Sequence, residues 1–277
     1  MKYIIYCLLP LCMMSCNSTE RNAQQLLQQA NEAFQMDSFN TAKQLIDSIK
    51  VLYPKAFETR RNGIKLMQQV ELEEQQRNLV YLDSLLQVKY AQLDSIRSQY
   101  VLEKDTAYQE IGNYLWPTQT IERNLGRSFL RAQVDETGVM SLTSIYCGPR
   151  NIHHTAVRVS FDEVFAETPP STDSYETTDI KGKIEKADFK RGNDGGVIDF
   201  VVANSDKKLK LKYLGETTFA TNLTPTDIKA IVKIDELSHI LSVITKAKDE
   251  QKEANLKIAF IQKKMSSTSQ KADENNE

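Results

Sequence analysis

The sequence predicts an α+β protein with three parts: an N-terminal helical hairpin, a long antiparallel coiled-coil stalk formed by residues about 60–110 and 225–265, and an inserted antiparallel β-rich head. Three observations predict it. Residues 22–54 carry two apolar helical stripes separated by a polar break. Two heptad arrays of equal length follow, one at 72–100 and one at 237–265. Between them, from about Ser128 to Glu216, the apolar period switches to two.

Composition sets the outer limits. The 277 residues hold 35 basic and 37 acidic side chains, 26% charged and 40% hydrophobic, with a formal charge of −2. Such a chain is neither disordered, collagen-like nor a polytopic membrane protein. The charge balance offers no bulk field for a polyanion, so no nucleic-acid partner is expected. Ten Gly and seven Pro leave little room for a low-complexity linker.

The first element is Met1 to Met14, MKYIIYCLLPLCMM: one Lys, then an apolar run broken only by Pro10. A spanning helix needs roughly 20 apolar residues, so this run reads as a signal-peptide core within residues 1–15. It ends in Met13-Met14-Ser15-Cys16, and here the chain resembles bacterial lipoproteins, whose signals close on a small residue and an invariant Cys. The resemblance implies lipidation of Cys16 with acyl chains such as palmitate, a bacterial envelope location and, with Asn17 after the Cys, the outer membrane. Either membrane face is compatible with it. An ordinary secretory signal with an accidental Cys is the alternative. Removing 15 of the 277 residues leaves 262, of which 16–21 form a linker to the anchor. Cys7 and Cys12 leave with the signal, so Cys147 is the one thiol besides Cys16 and no intramolecular disulfide forms in the mature chain.

In the hairpin at 22–54, Leu26, Ala30, Ala33 and Phe34 share one face, and Phe39, Ala42, Leu45, Ile46 and Ile49 another. Ala30, Ala42 and Pro54 fall twelve apart, and the segment resembles a single tetratricopeptide repeat. A plain helical hairpin with small residues at close contacts explains it as well. No second copy follows, and one repeat cannot bury its own face, so the hairpin must pack on what comes next.

Residues 55–111 and 224–265 are expected as the stalk. The first seam runs Leu72, Gln75, Leu79, Leu82, Leu86, Lys89, Leu93, Ile96 and Tyr100, and the second Leu237, Ile240, Ile244, Ala247, Gln251, Ala254, Ile258, Ile261 and Met265. Thr224-Pro225 with Thr226 and Asp227 marks a helix start. Each array would run about 42 Å at 1.5 Å per residue. Antiparallel pairing sets Leu72 near Met265, Tyr100 near Leu237 and Lys89 against the small Ala247. A homodimer through either seam is the competing arrangement. The tail 266–277, almost without apolar residues, is expected to be disordered.

Residues 112–223 form the head. Predicted strands are Phe129–Val134, Met140–Tyr146, Ala156–Phe161, Tyr175–Ile184, Ile198–Ala203 and Leu209–Leu214, with turns at Glu136-Thr137-Gly138 and Gly192 to Gly196. A meander, folded as a sandwich or half-barrel, follows. Ala132, Val134, Met140, Leu142 and Ile145 are its candidate core, and Trp116 is a packing anchor at the stalk junction.

Chemistry-bearing residues are sparse. Adjacent His153 and His154 on a strand would point to opposite faces, and no third metal ligand stands near, so no metal site or cofactor is expected. The Gly192–Gly196 loop has too few carboxylates for calcium. Cys147 with a nearby His as base is the one nucleophile to weigh. Lys208, Lys210 and Lys212 alternate with Leu209, Leu211 and Tyr213, giving either a charged face that protects an edge strand or a patch for an anionic partner. The function expected is therefore non-enzymatic: a membrane-anchored lipoprotein acting as a structural or protein-interaction component, its protein partner unidentified. A glycan- or peptide-binding head is the first alternative and a cysteine hydrolase the second.

Overall fold

A computed structural model describes residues 14–179 and 182–273; among these are five α-helices and two antiparallel sheets, an α+β architecture with a long C-terminal helix. The signal core to Met13, together with Lys181, lies outside the described residues, as does the side chain of Cys16. The chain divides into two units, Met1–Ser84 with Asp249–Glu277, and Leu85–Lys248.

The first unit is helical. Helices α1 (Met14–Gln35) and α2 (Phe39–Leu52) are separated at Met36–Ser38, where Asp37 takes a left-handed φ of 60°. Ala23, Ala30 and Ala42 are fully buried, so small side chains stand where helices approach. Ala30, Ala42 and Ile46 cluster with Leu66 and Val70 of α3 (Phe57–Arg97), and Phe34 tilts onto Phe39 at 6.1 Å between ring centres. Lys43 pairs with Glu74 at 2.9 Å, a half-exposed contact worth about 0–1 kcal/mol. The apolar cluster does more, since burying one Leu or Ile side chain contributes about 1.5–3 kcal/mol.

In the expected first seam, Leu82, Leu86, Leu93 and Tyr100 are buried and the remaining positions half-buried. The second seam behaves likewise along α5 (Pro225–Asp273), with Leu237, Ile244, Ala247, Ala254 and Ile261 buried. Thr224 starts α5: its Oγ1 donates to Asp227 Oδ2 at 2.7 Å and accepts the Asp227 N–H, satisfying an otherwise unpaired helix-end donor. The backbone stays helical to Asp273, eight residues into the stretch read above as a tail. Extending an existing helix adds a hydrogen bond per residue without a new nucleation cost.

Three further expectations, on element boundaries and types, are corrected. Helix α3 ends at Arg97 rather than near Ile111. The Gln99 and Tyr100 N–H groups tighten onto the carbonyls of Ile96 and Arg97, and Tyr100 turns inward, its O–H donating to Lys233 O at 2.8 Å and its ring meeting Trp116 edge-on at 5.4 Å. The predicted strand Tyr175–Ile184 is instead a hairpin of β7 (Ser174–Asp179) and β8 (Gly182–Lys190), turning where Gly182 takes a φ of +135°. The predicted strand Ile198–Ala203 is helix α4 (Val197–Ala203). Its β-branched residues favour a strand, but N-cap Gly196 at φ 78° breaks the extended chain and buried Asp194, two residues earlier, accepts the Ile198 N–H at 2.8 Å, so the turn overrides propensity.

The larger sheet has the order β1-β2-β3-β4-β8-β7, with β1 (Val101–Glu103), β2 (Asn113–Leu115), β3 (Phe129–Asp135) and β4 (Met140–Gly148) in a meander. The smaller runs β10-β9-β5-β6, with β5 (Ala156–Phe161), β6 (Val164–Glu167), β9 (Lys210–Leu214) and β10 (Phe219–Asn222). Ala132, Val134, Met140 and Leu142 are fully buried as expected. Ile145 is half-buried, because its odd spacing from Leu142 puts it on the other face of β4. The β3–β4 turn meets α5 so closely that a Cβ on Gly138 would lie 2.3 Å from Ser242 N. Ser238 Oγ donates to Gly138 O at 2.8 Å beside it, and Arg127 holds buried Asp227 through two bonds of 2.6 and 2.9 Å.

Candidate functional site

The densest polar cluster among the described residues joins β7 and β8 to the segment Asn151–His154, which leads from the larger sheet into β5. Glu176 and Glu185 are register partners on adjacent antiparallel strands. Two like charges directly opposite destabilise a sheet unless something lies between them. Asn151–His154 supplies it. Glu185 Oε1 accepts the Ile152 and His153 N–H groups at 2.6 and 3.0 Å, and Oε2 accepts the His154 N–H and ring Nδ1 at 2.9 and 2.8 Å. Glu176 accepts from His153 Nδ1 and Asn151 Nδ2, both at 2.7 Å.

Three successive N–H groups converge on one carboxylate because His153 takes a φ of 53°. An αL residue between neighbours makes a concave nest for an anion. Thus His153 and His154 do face apart, as read from the sequence, but by a left-handed turn rather than by strand alternation. His153 is exposed and His154 is 2% exposed. Burial pushes the Glu185 carboxyl up, yet the bonds from His154, His153 and Ile152 outweigh it and hold its pKa below the usual 4.5. The hydrogen bond to Glu176 raises His153 above 6.5.

On its far side His154 Nε2 lies 2.8 Å from Ser144 Oγ. Nδ1–H donates to Glu185 Oε2, while Ser144 Oγ, in contact with Nε2, also donates to Ala187 O at 3.3 Å. The order Ser–His–Glu is that of a nucleophilic relay. Its surroundings are not. Ser144, His154 and Glu185 are exposed by 0, 2 and 1%, and the imidazole is ringed by Tyr213 at 5.1 Å and Tyr146 at 6.3 Å, with Phe219 against both tyrosines. A nucleophile must meet its substrate, and Ser144 is sealed between β4 and the aromatic layer. The arrangement fits a structural link that satisfies a buried charge.

The same cluster bears on metal binding. His153, Glu176 and Glu185 offer ligand atoms within 4.8 Å of one another. All four acceptor directions of Glu185 are already taken by N–H groups, which leaves two ligands where protein zinc sites use three or four. An ion pair is the chemistry this geometry supports.

The other sequence candidates lie apart from this cluster. Cys147 is half-buried on the opposite face of β4, in a cavity of about 80 Å³ lined also by Gln119, Arg127, Arg131, Ile145 and Lys186. No His lines that cavity among the described residues, and the ring nitrogens of His154 are committed to Ser144 and Glu185. Lys208, Lys210 and Lys212 are exposed while Leu209, Leu211 and Tyr213 are buried, the alternation read from the sequence. Strand β9 is interior, however, with β10 and β5 on its two sides, so edge protection does not explain these lysines. Arg158, which sequence reading missed, is the register partner of Lys212 and extends the basic face, its charge shared with Glu167. The aromatics near His154 point inward and give no exposed platform for a sugar.

Glu185→Gln is expected to lower unfolding free energy in urea titrations, because its amide has one acceptor oxygen for four N–H donors, and each buried donor left unpaired costs about 1–3 kcal/mol. Ser144→Ala is expected to cost about 1–3 kcal/mol, because it removes contacts to His154 and Ala187 O and leaves the buried His154 Nε2 without a partner. Since the folded Glu185 pKa is depressed, its contribution is present above pH 4.5 and is lost as pH falls through the lower folded value. The difference between the native chain and Glu185→Gln should therefore shrink on acidification. Compared with known proteins, the chain matches no family model, no curated protein and no solved structure.

Proposed function

We propose that this chain is an envelope lipoprotein, anchored through acyl chains on Cys16, that acts as a non-enzymatic structural or protein-interaction component. The observation that carries this reading is the N-terminal order of Lys2, an apolar run too short to span a bilayer, and Ser15-Cys16. Sealing of the Ser144–His154–Glu185 relay supports the non-enzymatic part, as does the absence of a His in the cavity beside Cys147 among the described residues. We further infer that α3 and α5 pair antiparallel as a coiled-coil stalk. Within the helical unit Gln251 Nε2 donates to Asp83 Oδ1 at 2.5 Å. Within the other, Lys248 sits 5.3 Å over the Tyr90 ring. Both contacts fit the antiparallel register that sets Leu79 beside Ile258.

Two measurements test the proposal. Cys16→Ala should abolish palmitate incorporation and move the chain from the membrane to the soluble fraction. Retention in the membrane with no acyl label would reject the anchor. A Leu79→Cys, Ile258→Cys chain should form an intramolecular crosslink under oxidation; a product that is wholly dimeric would reject the stalk in favour of a homodimer seam.

A further inference from the structure

The corner between α2 and α3 carries a surface that neither the helical packing nor the lipid anchor accounts for. Four large apolar side chains project into solvent there: Val51, Leu52, Phe57 and Ile64, exposed by 75, 62, 74 and 60%. The same stretch, from residue 50 to residue 65, holds five basic residues, Lys50, Lys55, Arg60, Arg61 and Lys65, against the single acid Glu58. All but Arg60, which is half-buried and donates to Pro54 O, are exposed. Along α3 the residues Phe57, Arg61, Ile64 and Lys65 recur at helical spacing and form one outer stripe, while Thr59, Gly63, Leu66 and Val70 are buried. From Ile64 the surface continues into a groove of about 340 Å³ lined by Ile46, Ile49, Met67 and Phe260, with Asp47 and Glu71 also on its wall.

The start of α1 lies against this corner. Glu20 Oε1 accepts the Thr59 N–H and hydroxyl at 3.2 and 2.6 Å, and Ala23 packs on Ile49 and Ala56. Cys16 precedes Glu20 by one helical turn, about 6 Å along α1.

We propose that this corner is a membrane-docking surface for a bilayer rich in anionic phospholipid. Val51, Leu52, Phe57 and Ile64 enter the boundary of the acyl region, and Lys50, Lys55, Arg61 and Lys65 meet the phosphate headgroups. Mixed apolar and basic residues are the composition such an interface selects. A second copy of the chain is disfavoured as the occupant, because the exposed Lys50, Lys55, Arg61 and Lys65 of two copies would be brought together, with Glu58 the one acid among residues 50–65 to offset them. The proposal rests on the Cys16 anchor only for bringing a bilayer to this end of the molecule. It gives that anchor a purpose for the fold: lipid and surface act together, and the helical unit is held against the membrane rather than tethered loosely.

The test uses the mature chain with Cys16→Ala, so that no acyl chain contributes, sedimented with vesicles of phosphatidylethanolamine and phosphatidylglycerol or of phosphatidylcholine alone. Sedimentation is expected with the anionic vesicles, weakening as salt rises, and not with phosphatidylcholine. Combined Lys50→Glu, Lys55→Glu and Arg61→Glu should reduce partitioning more than tenfold, at about fivefold per basic residue. Phe57→Ser with Ile64→Ser should also release the chain, with helical circular dichroism unchanged. Reversal of Lys208, Lys210 and Lys212 should leave binding as it was. If the triple variant unfolds, Lys55→Glu alone, in the exposed turn, should still cost about fivefold. The proposal is overturned by absent sedimentation, by equal binding to phosphatidylcholine, by loss only in the Lys208, Lys210, Lys212 variant, or by a dimer that Phe57→Ser dissociates. Acylation of Cys16 is read separately by palmitate incorporation into the native chain, so the anchor and the docking surface fail independently.

Discussion

Glu176 and Glu185 stand opposite one another on β7 and β8, one exposed and one buried, and a sheet does not tolerate such a pair without donors between them. Six N–H bonds from Asn151, Ile152, His153 and His154 fill that gap. The consequence reaches well beyond the two carboxylates. The segment they grip is the crossing from β4 into β5, so the clamp ties the smaller sheet to the larger at the point where the chain changes sheets. His154 carries the link inward to Ser144 on β4, and Tyr213, with its O–H on Ile145 O at 2.9 Å, closes the interface from β9.

The other long-range constraint is ionic and acts on α5. Arg127 holds Asp227 and Arg191 holds Asp235, so two arginines fix the first turns of α5, while Arg191 also pairs with Asp199 on α4. The Arg191 guanidinium is half-buried: desolvation opposes its charge, and the two carboxylates outweigh that and raise its pKa. These pairs decide which face of α5 turns to the sheet, with Ile231, Ile234 and Leu237 fully buried on it. The Gly138 turn could not approach the helix with a side chain in place. Packing and charge thus agree on one position for the start of α5.

Much of this was legible in the chain because it is local. Helical spacing identified α1, α2, the buried stripes of α3 and α5 and the Thr224 cap; alternation identified β3, β4, β5 and β9 and the outward lysines. Failures occur where a distant partner decides. The turn at Asp194 and Gly196 made a β-branched run into α4, and Tyr100 ended α3 by finding Lys233 O across the fold. The clamp was the largest loss. His153 and His154 stand out as a pair, but Glu185 lies 31 residues beyond His154, one residue past the predicted strand Tyr175–Ile184. One signal was present: Glu185 shares a face with buried Ala187 and Phe189, so an acid on the core side of a strand asks for a partner, and a histidine is the natural one.

The proposed role combines a β unit whose buried Glu185 is fully hydrogen-bonded with a helical unit that carries an apolar and basic corner near Cys16, the proposed site of acylation. The anchor in that reading depends on Cys16 being the first residue of the mature chain and carrying lipid. The most direct test is the mass of the N-terminal peptide from protein extracted out of bacterial membranes. Cys16 at the terminus, heavier by its acyl chains, is the predicted result. A peptide that retains Met1 to Ser15, or one that begins elsewhere with an unmodified Cys16 thiol, would contradict it.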